Sequence, residues 1–132
     1  MIRQLFVAAA IAAAAVVTAP SAAADDQRYD GDVPGMSYDA SFGGPCYSWD
    51  VFVFGRGPGG MTEICRYIPN QWPPVYTGFW VHSYPLHGVQ EIGAPCPGPK
   101  SAAQAPDGRP MRCLGDQGWR PGVHTGDGWF PT

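Results

Sequence analysis

The chain has 132 residues, with 8 Lys+Arg against 11 Asp+Glu and a formal net charge of −3. A mild acidic excess with dispersed basic residues excludes nucleic acid and anionic membrane surfaces as expected partners, since both call for clustered Lys and Arg. With 18 Gly and 15 Pro but 13% aromatic residues, the chain is expected to fold, and to fold as loops and strands with little helix.

Residues 1–24 read as a secretory signal peptide. Arg3 supplies the positive start, residues 5–17 an unbroken apolar run, Pro20 its end, and Ala22 and Ala24 the small residues at −3 and −1 of a cleavage site. The run is short against the about 20 residues that span a bilayer. No cysteine closely follows it, because the first is Cys46, so a lipid anchor is not expected. Loss of 24 of the 132 residues leaves 108, enough for one domain with a modest core. That domain is expected to be soluble, with no stable membrane insertion. Residues 25–35, acidic and glycine-containing, read as a loose N-terminal tail, and 36–132 as the single domain.

Cys46, Cys65, Cys96 and Cys113 all lie beyond the signal peptide. An even count in an oxidising compartment predicts two disulfides, and three connectivities are possible. Cys46–Cys65 and Cys96–Cys113 are preferred, because each pair brackets one local turn-containing unit. Loops of that size contribute about 3 kcal/mol each. Zinc is disfavoured because no C-x2-C pair exists.

In chain order, the runs CYSWDVFVF (46–54) and MTEICRYI (61–68) are rich in β-branched and aromatic residues. The breaker cluster GRGPGG between them predicts a β-hairpin over about 46–68, with Arg56 as an exposed charge at its tip. The same glycines, Gly55, Gly57 and Gly60, match G-x-G-x-x-G. A dinucleotide fold would require a helix after them and an acidic residue some 20 positions on. Here a strand-like run ending at Pro69 follows, so no nucleotide or other cofactor is expected, and the glycines read as a turn where positive φ is wanted.

Residues 75–84 read as one strand between prolines. Its odd positions, Val75, Thr77, Phe79, Val81 and Ser83, look like core. Its even positions, Tyr76, Trp80 and Tyr84 with His82 among them, form an aromatic row, with Trp72 just before. A further short strand is expected over 88–92. Residues 95–120 read as a meander stapled by Cys96–Cys113, with tight turns at Asp107-Gly108 and 115–118. The remaining tail reads as irregular, pinned by Trp129 and Phe130.

The closing segment, Pro95-Cys96-Pro97, Ala103, Asp107-Gly108-Arg109-Pro110-Met111, Cys113 and Gly118-Trp119, resembles a cysteine-stapled segment of small exported actinobacterial proteins, chiefly mycobacterial ones. The resemblance implies an exported envelope or culture-fluid protein. It carries over no catalytic residue.

Catalytic chemistry is sparse. Glu63, Glu91 and Asp50 are candidate carboxylates and His82, His87 and His124 the histidines. A hydrolase would require two of His82, His87, Glu63, Glu91 and Asp50 to meet in a cleft. H-E-x-x-H and G-x-S-x-G are absent, and no metal site is expected. The feature with most promise is the set Trp72, Tyr76, Trp80 and Tyr84, whose flat rings stack on sugar rings or proline-rich peptides when exposed, or build a core when buried. The expected protein is thus a mainly β, loop-rich, disulfide-stabilised domain built from hairpins. It is expected to be a secreted or cell-envelope protein and non-catalytic, binding an envelope or extracellular protein or glycan.

Overall fold

The structure is a computed structural model that describes residues 28–125 and 128–132; the expected signal peptide lies outside the described residues. Strands form where β-branched and aromatic residues run between Gly and Pro clusters. They are β1 (Pro45–Cys46), β2 (Phe54–Arg56), β3 (Thr62–Arg66), β4 (Gly78–His82), β5 (Leu86–Val89), β6 (Ala102–Gln104), β7 (Pro110–Cys113), β8 (Trp119–Thr125) and β9 (Gly128–Pro131). No α-helix occurs among the described residues, and the fold is mainly β. Two sheets result, in the orders β1-β4-β3-β2 and β5-β6-β7-β8-β9.

The first hairpin is present but shorter than the sequence suggests. β2 and β3 pair antiparallel, with Phe54 opposite Ile64 and Arg56 opposite Thr62. At its tip Gly59 and Gly60 take φ of +73 and +84, a region that a Cβ disfavours. Gly55 serves a different need. A Cβ there would come within 2.7 Å of the Ala40 Cβ and 3.0 Å of the Trp80 ring.

Of residues 46–53 only Val53 bonds to β3, its O accepting from Cys65 N–H at 2.9 Å. Cys46 instead lies in β1, opposite Gly78 of β4. Cys65 lies in β3 on the other side of β4, opposite Trp80. The disulfide Cys46–Cys65, with its Cα atoms 5.8 Å apart, therefore passes over β4. A Cβ on Gly78 would meet Cys65 Sγ at 2.8 Å and Cys46 Sγ at 3.1 Å, so only glycine leaves room for the bridge. The second disulfide is Cys96–Cys113, and both expected pairings are present.

β4 departs from the sequence expectation of a core odd face. Trp80 is 8% exposed and belongs to the core, while Phe79 and Val81 are half-buried. Both faces of this sheet are covered. Residues 37–44 cross one face, from a bridge between Ser37 and Gly55 to hydrogen bonds joining Gly43 and Gly44 with Trp80. Leu86 and Ala102 of the second sheet pack with Ile64, Phe54 and Val81 from the other. Alternation along one strand does not identify the better-covered side when both sides have a neighbour.

Residues 28–35 are not a loose tail. Asp32 and Val33 are 7% and 4% exposed. Asp32 is the counter-ion of Arg56, which is itself 7% exposed rather than a charge at the hairpin tip. A guanidinium taken out of water requires a partner, and the N-terminal segment delivers it.

The expected meander over 95–120 is formed by β6, β7 and the start of β8. Its Asp107-Gly108 turn closes with Gly108 N–H donating to Ala105 O at 2.9 Å. Met111, Trp119, Ala103, Ala105 and Cys113 make a second small core. The C-terminal segment is not irregular: β8 continues to Thr125 and pairs with β9, with Val123 opposite Phe130 and His124 opposite Trp129.

Candidate functional site

The four aromatic residues singled out from sequence separate in space. Trp72 and Tyr76 are 89% and 79% exposed, whereas Trp80 is buried. Tyr84 is half-buried, with the Arg112 guanidinium 4.6 Å from its ring centroid. Trp80 and Tyr84 therefore do not form one open row with the other two.

The topology replaces that row with another grouping. β1 and β3 both run antiparallel to β4, so the residues leaving β1 and β3 lie at the end where the chain enters β4. Tyr47, Trp49 and Tyr67 thereby share an end of the sheet with Trp72 and Tyr76. Tyr47 is 75% exposed. Trp49 and Tyr67 stack, with ring centroids 4.6 Å apart and planes 17° from parallel. The Cys46–Cys65 bridge lies at this same end and holds two of the segments together. A signal for this was present in the sequence: each of these cysteines is followed within three residues by an aromatic, and a disulfide joins what lies beside it.

Next to this end is a cavity of about 350 Å³, lined among others by Tyr47, Phe52, Phe54, Trp80 and Asp39. That volume falls within the range of small-ligand sites, and the mixture of rings with one carboxylate is typical of them. Trp80, although in the core, contributes to the wall.

One pair of the candidate acid–base residues meets. His82 Nδ1 donates to Glu63 Oε2 at 2.7 Å, because the two are direct partners across β3 and β4. Phe42 stacks on the imidazole at 4.5 Å. Glu63 is 1% exposed, and its Oε1 has no hydrogen-bond partner. His87 lies in β5 of the other sheet, and Asp50 and Glu91 are exposed in separate loops. Among the described residues no three His, Cys, Asp or Glu side chains gather as metal ligands.

The strongest ion pair of the fold is structural. Asp32 Oδ1 accepts from Arg56 Nε at 2.7 Å. Its Oδ2 accepts from the Tyr38 hydroxyl at 2.6 Å and from the backbone N–H groups of Arg28 and Tyr29 at 2.9 Å. Burial raises the pKa of this carboxyl, but the bonds from Tyr38, Arg56 and the two backbone groups outweigh it and hold it below the ordinary value. The two disulfides suit an oxidising, extracellular type of environment. No helix among the described residues is long and apolar enough to cross a membrane.

No family model matches the chain, no curated protein matches it, and no solved structure matches it, so its own residues carry the functional reading.

Proposed function

We propose that the protein is an exported, non-catalytic module of the cell envelope or extracellular space that binds an envelope component, protein or glycan, through the aromatic end of its first sheet. The observation that carries this reading is that Trp72, Tyr76 and Tyr47, 89%, 79% and 75% exposed, all belong to segments at the end of the first sheet where the chain enters β4. Large rings held in water by a cross-linked frame lose little entropy on binding and bury much area. The signal-like start of the chain, the two disulfides and the likeness to exported actinobacterial proteins support the location. The test is binding of the processed chain to immobilised envelope polysaccharide and to envelope proteins, compared with Trp72→Ala/Tyr76→Ala. The double variant is expected to keep its unfolding midpoint and bind at least about tenfold more weakly. Undiminished binding by that variant would remove the aromatic end from the proposal.

A second reading, an envelope-active hydrolase, is favoured by the contact of His82 with Glu63 at 2.7 Å. It requires hydrolysis of an envelope polymer that Glu63→Gln abolishes. Equal hydrolysis by that variant excludes it.

A further inference from the structure

The basic residues are dispersed in the sequence, but the second sheet collects several of them. Arg112 of β7 alternates with Met111 and Cys113, which face the second core, so Arg112 points to the other side, toward the first sheet. Its direct partner across the ladder is Arg120 of β8. Four residues further along β8, past Gly122, His124 falls on the same face as Arg120. Arg66, at the end of β3, comes from the facing sheet: its strand neighbour Ile64 lies in the core that Ala102 and Leu86 share.

Like charges set directly opposite each other in a ladder oppose its formation. Among the described residues no ion pair to an acid offsets that opposition. The ion pairs among the described residues join Arg56 to Asp32, His82 to Glu63 and Arg109 to Asp107, and none includes Arg66, Arg112 or Arg120. Two polar atoms of the group are buried with no hydrogen-bond partner, Arg66 Nε and His124 Nδ1. Such groups are costly to leave unsatisfied in an isolated fold. The Arg112 guanidinium lies over aromatic faces, 4.6 Å from the Tyr84 ring centroid and 5.4 Å from that of Trp129. Such cation–π contacts position a guanidinium without using its N–H donors, which remain for a ligand.

We propose that Arg66, Arg112, Arg120 and His124 form a binding site for a phosphate group, with Tyr84 and Trp129 as its aromatic supports. Phosphate is favoured over carboxylate because the guanidinium groups supply more charge than one carboxylate neutralises and offer several N–H forks to three oxygens. Burial, then Arg112 and Arg66, push the His124 pKa down to about 4, so that near neutral pH the imidazole is uncharged. A bound anion reverses the charge effect and raises that pKa, which supplies an internal reporter.

The experiment is an NMR titration of the processed, disulfide-intact chain with inorganic phosphate at constant ionic strength, with acetate and chloride run in parallel. Saturable shifts at the Arg66, Arg112 and Arg120 Nε–Hε signals are expected with phosphate, together with an upward move of the His124 titration. Shifts that are linear, or equal with acetate or chloride, overturn the site. Arg112→Gln is expected to weaken phosphate binding by about tenfold or more, and Arg109→Gln, which removes the same charge elsewhere, to leave it unchanged. Should Arg112→Gln disturb folding, Arg66→Lys keeps the charge and removes the fork; it too must weaken binding, and unaltered binding overturns the proposal. Vesicles of phosphatidylglycerol against phosphatidylcholine separate the sources: co-sedimentation with the former assigns the phosphate to a lipid headgroup, and its absence alongside phosphate binding assigns it to a soluble ester.

Discussion

In β2, at one side of the first sheet, Arg56 meets four acceptors: Asp32 through Nε, Gly60 O and Thr62 Oγ1 through Nη1, and Asp30 O through Nη2. On the inward face of the second sheet Arg112 stands opposite Arg120, with two rings beside it and no ion pair to a carboxylate among the described residues. Both arginines have lost water. The first has four of its five N–H donors bonded within the chain, and the N-terminal segment supplies two of the acceptors. The second rests on two rings and takes part in no ion pair among the described residues. Internal satisfaction marks a guanidinium that holds the fold, and its absence marks one available to a ligand.

The largest expected effect breaks the first region. Asp32→Ala leaves the Arg56 guanidinium buried without its counter-ion and is expected to cost about 3–5 kcal/mol of stability, read as a fall in the urea midpoint. A loss below about 1 kcal/mol would mean that the pair behaves like a surface ion pair, and the contrast with Arg112 would fail. Next comes the strand common to both regions. β3 carries Thr62 of the clamp and Arg66 of the basic face, and Cys65 ties it to β1. Replacing Cys46 and Cys65 together by Ala is expected to cost about 3 kcal/mol in the loop-entropy account, measured in the same way.

A smaller effect is expected in the second region, and of opposite sign. Arg112→Met removes a like-charge opposition and keeps apolar contact with Tyr84 and Trp129. In phosphate-free buffer it is expected to leave stability within about 1 kcal/mol of the parent, on the stabilising side. A clear loss would show that Arg112 is a structural residue after all.

The smallest effects are in pH dependence, and they separate the two regions by window. His124 has its pKa lowered from 6.5 to about 4, so the unfolded chain binds a proton between those values that the folded chain does not. Its contribution is present above 6.5 and declines as pH falls toward 4. Asp32 has its carboxyl held below the ordinary value of 3.8, so its contribution persists through that window and is lost only as pH falls further, through the depressed folded value. His124→Gln should flatten the upper part of the stability–pH curve and Asp32→Asn the lower part. The reverse assignment would break the comparison.

Local chemistry made much of the fold legible in sequence. The turn at Gly59-Gly60, the Asp107-Gly108 turn, the meander and both disulfide pairings each depend on residues close in the chain. Of the candidate site, Trp72 and Tyr76 were legible as candidate binding rings but their exposure was not, and Tyr47, Trp49 and Tyr67 were not joined to them. That union depends on β1 pairing with β4 across more than thirty intervening residues. The phase of β4 was misread for a related reason: a strand covered on both faces carries no alternation that names the better-buried side.

The G-x-G-x-x-G match shows the division most plainly. By itself the sequence determined that the glycine cluster joins two strands rather than opening a nucleotide fold, because a strand-like run with Pro69 at its end follows where such a fold requires a helix; the positive φ it expected falls at Gly59 and Gly60, while Gly55 lies within β2. Only the tertiary structure decided that Gly55 is needed for the close approach of Ala40 and Trp80, and that Gly78 of β4 rather than the hairpin tip makes room for Cys46 and Cys65 to join. It also decided which arginines are satisfied. Turn conformation is a property of neighbouring residues. Close approach and charge compensation depend on which distant segments arrive, and no local pattern records that.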